Sequence, residues 1–112
     1  MSRLLTVAEV VAAQARLQPA KIGARDSRRS LSFVQWNERA SRLANALLGL
    51  GLAKGDRVAL LAHNCVEWME LYVALARAGL VAVPVNFRLV ASEIEYIAMH
   101  CEARAFVVQD AL

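Results

Sequence analysis

The sequence predicts an α/β fold, a partial parallel sheet with crossover helices on its faces. Three observations predict it. Residues 57–62, 80–85 and 105–108 read as short strands. The first two are continuous apolar runs without in–out alternation, the pattern of strands buried on both faces. The segments between them carry apolar side chains at three- and four-residue steps, the spacing of helices. Strands separated by crossover helices make a parallel sheet with right-handed connections.

The elements follow in order. Thr6 and Glu9 form a T-x-x-E box, in which hydroxyl and carboxylate satisfy orphan helix amides reciprocally. A helix runs from there to about Leu17, with Val7, Val10, Val11 and Ala15 near one face, and Pro19 stops it. Residues 21–26 form a short strand with Ile22 and Ala24 on one side; Asp26-Ser27 turns, and Leu31 begins the return strand. Ser32 and Gln35 form a second box. Behind it Phe33, Trp36, Ala40, Leu43, Ala44, Leu47 and Leu50 line one face of an amphipathic helix. Glu38 and Arg42 stand four apart on its outer face, spaced for an ion pair. Gly51 ends this helix in the left-handed conformation, and Lys54-Gly55-Asp56 turns into the first strand of the sheet.

Asn64 and Glu67 give a third box-like start. The helix behind it is apolar nearly all round, broken only by Glu67, Glu70 and Arg77, so it is buried on most sides. Gly79 caps it before the second strand. Ser92 starts the last helix, with Ile94, Ile97, Ala98 and Cys101 inward.

Candidate chemistry is sparse. Residues 49–55, with Gly49, Gly51 and Gly55, have the glycine density of a phosphate loop. Such a loop follows a strand and opens a helix, whereas this one closes a helix and opens a strand, so it reads as a cap and a turn. A triphosphate loop needs hydroxyls among its glycines. The chain has one threonine, Thr6, and no Ser or Thr beside any glycine. His63, Cys65, His100 and Cys101 include the donor types of a zinc site. His100 and Cys101 are helix neighbours about 100° apart, unsuited to one metal. Cys65 with His63 has the composition of a nucleophile and its base; no third group orients them, and Asn64 reads as a helix cap. Pro84, Asn86 and Arg88 follow the carboxyl end of a parallel strand, where open α/β sheets place ligands; Asn86 reads as a turn former.

Charge and composition exclude more than they propose. The net charge is +3, and the densest basic cluster is Arg25, Arg28 and Arg29, interleaved with Asp26, Ser27 and Ser30. No aromatic residues alternate with these arginines to stack bases, so the cluster reads as a solvated turn and no nucleic-acid partner is expected. Cys65 and Cys101 stand outside any CxxC pair and read as reduced thiols. Glu9 interrupts a potential signal-peptide core, and residues 71–85 are too short and too broken for a membrane span, so a cytoplasmic location is expected. The apolar set is 58% of the chain, against about 45–50% in an ordinary domain. The excess implies that something outside these residues covers part of the apolar surface: missing sequence, another subunit or a second copy. Trp68 and Leu71 are the expected exposed anchors.

An ordered set of residues carries a resemblance. Leu31-Ser32-Phe33 is followed by Trp36-Asn37-Glu38-Arg39-Ala40-Ser41-Arg42-Leu43-Ala44-Asn45-Ala46-Leu47. Then come Gly51, Lys54-Gly55-Asp56-Arg57-Val58-Ala59, Asn64, Ala78-Gly79, Val83-Pro84-Val85-Asn86 and Arg88-Leu89, before Ala105-Phe106-Val107-Val108. This order resembles the opening of the adenylate-forming superfamily, which includes acyl-CoA synthetases, luciferases and peptide-synthetase adenylation domains. The wording His63-Asn64-Cys65-Val66-Glu67-Trp68 resembles bacterial fatty or aromatic acid–CoA ligases more than peptide-synthetase domains. The pattern departs at Val90-Ala91-Ser92, where relatives often carry Thr-Pro-Glu.

The resemblance implies the first part of a large N-terminal domain, with residues 1–30 as leading helix and hairpin and residues 31–112 as helix–strand repeats. It implies ATP, Mg2+ and coenzyme A for the parent enzyme and none bound by this segment. The family's phosphate loop, ribose-binding Asp and catalytic Lys lie downstream, so no catalytic, cofactor-binding or metal residue is carried onto this chain. The remainder of the ligase is the implied partner. A different class of reading also stands: a truncated, non-catalytic interaction module that buries its apolar faces on a partner.

Overall fold

A computed structural model describes residues 7–62, 65–85 and 89–108. Its elements are α1 (Val7–Leu17), β1 (Ile22–Arg25), β2 (Ser30–Ser32), α2 (Phe33–Gly49), β3 (Arg57–Leu61), α3 (Val66–Ala78), β4 (Val81–Pro84), α4 (Ala91–His100) and β5 (Ala105–Val108). β1 and β2 form an antiparallel hairpin, and the other three strands form a parallel sheet in the order β4-β3-β5. The predicted α/β architecture is the observed one. No helix of the described residues is long and apolar enough to cross a membrane.

β3 sits in the middle, which explains its missing alternation: Val58, Ala59, Leu60 and Leu61 are all buried, the even-numbered pair and the odd-numbered pair facing opposite ways. Val58 and Leu60 face the larger core, built with α1, α2 and α3 through Val11, Trp36, Ala40, Leu47, Val73 and Leu75. Ala59 and Leu61 face a smaller cluster with Val85, against which Ile94 and Ile97 of α4 pack. The second layer is thin. No residue of α4 is fully buried, and Val81, Phe106 and Val108 stay substantially exposed.

Local sequence accounts for most boundaries. The Ser32 box forms as expected: Ser32 Oγ accepts from Gln35 N at 3.3 Å, and Ser32 N donates to Gln35 Oε1 at 2.9 Å. Gly51 and Gly79 adopt positive φ, 96° and 74°, behind α2 and α3. Thr6 and Asn64 lie outside the described residues. The residue at the cap of α3 is Cys65, which makes no side-chain cap bond, and α4 starts at Ala91 behind Val90, one residue before the expected Ser92.

Several expected faces shift. On α1 the inward residues are Ala8 and Val11, while Val7 and Val10 point outward. Ile22 does not share a side with Ala24, because the hairpin register slips between them. Leu50 is 76% exposed, since the helix stops at Gly49 and Leu50 is its C-cap. Leu71 is buried and Trp68 half-buried, so neither is the exposed anchor that α3's composition implied. The Glu38–Arg42 pair is not among the ion pairs of the described residues; Arg39 reaches Glu70 on α3 instead, at 2.8 Å. Arg77 reads in sequence as an interruption of α3. It is the clamp between three helices, its guanidinium donating to Asn37 O, Asn37 Oδ1 and Ser41 Oγ on α2 and to Ala8 O on α1. Burial lowers the Arg77 pKa, and these acceptors compensate the buried charge.

Candidate functional site

Two clefts open at the carboxyl end of the sheet, where open α/β folds place ligands. The larger, about 850 Å³, lies between β1 and α3 and is lined by Gly23, Arg25, Asp26, Trp68, Met69, Tyr72, Pro84 and Val85. The smaller, about 330 Å³, lies between β3, β5 and the start of α3 and includes Arg28, Leu61, Glu67, Leu71 and Val107. Ala62, Cys65 and Trp68 border both. The Trp68 and Tyr72 rings, with centroids 5.7 Å apart, supply aromatic surface to the larger cleft.

The hairpin turn is anchored onto the start of α3. Asp26 Oδ1 accepts from Arg28 N and Arg29 N at 2.8 and 2.9 Å, which closes the turn. Its Oδ2 accepts from Val66 N at 2.8 Å, which caps α3 from 40 residues away. These three backbone donors, Val66 foremost, hold the Asp26 carboxyl at a pKa of about 2. The sequence signal for a helix cap pointed to Asn64; a cap supplied by a distant turn has no signature in local spacing.

Behind the turn lies a buried carboxylate, Glu70, only 6% exposed. Its Oε1 accepts from Arg29 Nη2 at 2.9 Å and from Arg39 Nε at 2.8 Å. Arg29 also reaches Glu67 Oε1 at 3.0 Å. Burial works against the Arg29 charge, but Glu67 and Glu70 outweigh it and raise its pKa. Burial likewise works against ionised Glu67, yet the Cys65 thiol, a backbone amide and Arg29 together hold it below the ordinary carboxylate value. Burial, with Glu67 second, pushes the Cys65 thiol up. That is the opposite of what a nucleophilic thiolate requires.

The other sequence candidates separate. His63, Asn86 and Arg88 lie outside the described residues. His100 is exposed and stacks on Tyr96 at 5.6 Å within α4, and Cys101, the C-cap of α4, donates from Sγ to Ala98 O. Among the described residues no three His, Cys, Asp or Glu side chains converge as metal ligands. The 49–55 loop is tied to the end of α3 and to the turn that follows it: Gly55 N donates to Gly79 O at 2.7 Å, Asp56 N to Ala53 O at 2.9 Å, and Ala53 N to Asp56 Oδ2 at 2.8 Å. It is the cap and turn that its context implied, with those amide donors already used.

The sheet order, the leading helix and hairpin, and the run of residues that carried the resemblance converge on one comparison. The family model for the AMP-binding enzyme matches residues 11–112. The chain belongs to the AMP-binding enzyme family. Within that family it is similar to the long-chain-fatty-acid–CoA ligase FadD13 of Mycobacterium tuberculosis, 49% identical over 67 residues, covering 60% of this chain and 13% of that one. It is also similar to the crotonobetaine/carnitine–CoA ligase of Proteus mirabilis, 39% identical over 82 residues, covering 73% of this chain and 16% of that one. Among solved structures, the N-terminal domain of FACL13 from Mycobacterium tuberculosis overlays with TM-score 0.84 at 33% identity, over 94% of this chain and 27% of that one. The anthranilate CoA ligase AuaEII overlays with TM-score 0.90 at 27% identity, over 99% of this chain and 22% of that one. The chain therefore spans about a quarter or less of these AMP-binding relatives.

Proposed function

We propose that the chain is the N-terminal segment of an ATP-dependent carboxylic acid–CoA ligase that works through an acyl-adenylate on a fatty or aromatic acid. The observation that carries this reading is the ordered match to CoA ligases, over nearly the whole chain in structure and at 49% identity over 67 residues to one of them in sequence. The segment by itself forms no adenylate. Its glycine-rich turn spends amides on Gly79 O, Ala53 O and Asp56, and its cysteine at the cleft is held as a neutral thiol. These residues do not fit a nucleotide phosphate, and ATP, Mg2+ and coenzyme A belong to the parent enzyme. Residues 1–30 serve as leading helix and hairpin and residues 31–112 as the repeats, in a cytoplasmic enzyme whose remaining sequence is the partner. The test is acid-dependent exchange of pyrophosphate into ATP. The 112-residue chain shows none, whereas the longer polypeptide exchanges and then releases AMP with coenzyme A. Exchange by the short chain overturns its inactivity; none by the longer polypeptide, with fatty and aromatic acids, overturns the ligase reading.

One observation favours a second reading, a non-catalytic interaction module. Val81, Phe106, Val108 and Met99 are exposed around the thinly covered sheet face. On this reading a partner protein or second copy covers them. Light scattering separates the two: a single defined assembly supports the module, and concentration-dependent aggregation supports a segment lacking the rest of its domain.

A further inference from the structure

Among the described residues the parallel sheet has two outer edges, β4 and β5. Their outward backbones differ. Val81 N donates to Asp56 O at 2.9 Å and Val85 N to Leu60 O at 2.8 Å, so the odd-numbered amides of β4 serve β3. Ala82 and Pro84 face outward, and a proline has no N–H to offer another strand. On β5, Arg104 N donates to Arg57 O at 2.8 Å, so the even-numbered amides serve β3. The outward positions are Ala105 and Val107, each with a donor and an acceptor. The strand itself has no proline, glycine or charge, the composition that natural edges avoid. Phe106 and Val108, on the face shared with Ala59 and Leu61, are exposed beside it.

We propose that β5 pairs antiparallel with β5 of a second copy of this chain, about a two-fold axis at Val107. There the outward N–H and C=O of Val107 meet those of the other Val107, and Ala105 stands opposite Gln109. Phe106 stands opposite Val108 in a non-hydrogen-bonded pair, the closer kind, and aromatic and β-branched side chains pack well across strands. Arg104 stands opposite Asp110, and the two-fold axis makes this pair twice. Arg104 is exposed and reaches Asp56 only at 4.0 Å, so its charge is available. An axis at Phe106 would oppose Glu102 to Asp110, and one at Val108 would oppose Phe106 to Asp110. The charges thus select Val107. The proposal rests on the interaction-module reading and deepens it by naming the partner.

The test follows the 112-residue chain by sedimentation equilibrium over a concentration series, with amide exchange read residue by residue. A monomer–dimer equilibrium is expected, with exchange at Ala105 and Val107 slowing as the dimer fills. Arg104→Asp weakens dimerisation about tenfold, because two attractive pairs become repulsive at once. Asp110→Arg does the same, and the double variant restores the dimer. That rescue separates pairing in this register from damage to the fold. Arg42→Asp, on the outer face of α2, leaves dimerisation unchanged. A chain that stays monomeric overturns the proposal and leaves a different protein as the module's partner. A dimer that ignores either charge reversal, fails to recover in the double variant or leaves Val107 unprotected overturns the β5 pairing, while the module reading stands. Aggregation without a defined dimer overturns both.

Discussion

Asp26 and Glu70 are the residues whose chemistry most shapes the carboxyl end of the sheet. The folded-state pKa of Asp26, about 2, lies below the ordinary 3.8. A carboxyl depressed in this way stabilises the fold fully above its unfolded value and loses that contribution as pH falls from about 4 through about 2. Glu67 is shifted in the same direction. Urea denaturation at pH 7, 4 and 3 is therefore expected to show Asp26→Asn less stable than the parent at pH 7, with the gap closing as pH falls. Glu70 is a different case, since its partners are only partly buried, Arg29 and Arg39 being 33% and 46% exposed. Removing one side of a fully buried pair costs about 3–5 kcal/mol. Here the arginines rehydrate, and Glu70→Ala is expected to cost about 1–3 kcal/mol by the same measurement. Neither role was legible in the sequence. Glu70 reads as a break in an apolar helix and Asp26 as an ordinary turn former. Asp26 does close the turn onto Arg28 and Arg29, but the Val66 amide it caps and the arginines that hold Glu70 stand 31 to 41 residues away, and only the folded chain brings them together.

The elements themselves were far more legible, because their causes are local. The Ser32–Gln35 box, the positive-φ glycines behind α2 and α3 and the unalternating run of β3 each act through neighbours in sequence. Expectations failed where a face depends on what lies across from it, as on α1, at Ile22 and at Leu71. Gly23 is a further instance. Nothing in its surroundings in sequence sets it apart, yet a Cβ there would lie 2.7 Å from Phe33 Cε1 and 3.0 Å from Trp36 Cε3. The Phe33–Trp36 stack thus packs directly on the β1 backbone. Gly23→Ala is expected to lower stability by about 1–3 kcal/mol, as overpacking does. Chemical denaturation gives the size, and near-ultraviolet dichroism should report the displaced Trp36 ring.

At the scale of the whole molecule the two sides of the sheet are unequal. One is sealed by three helices and the other has a single shallow helix. The apolar excess in composition pointed to such an imbalance; it did not say which residues carry it, because Trp68 and Leu71 belong to the covered side. Phe106→Lys with Val108→Lys is expected to reduce self-association in light scattering while leaving the denaturation midpoint nearly unchanged, since both side chains project outward from β5. The bond from Asp26 to Val66 also has a consequence in time. A ribosome delivers the carboxylate 40 residues before the amide it serves. Until α3 emerges, the Asp26 carboxylate has no helix to cap. Once Val66 arrives, the hairpin and α3 become a single mechanical unit, and a cut between them no longer releases two independent pieces.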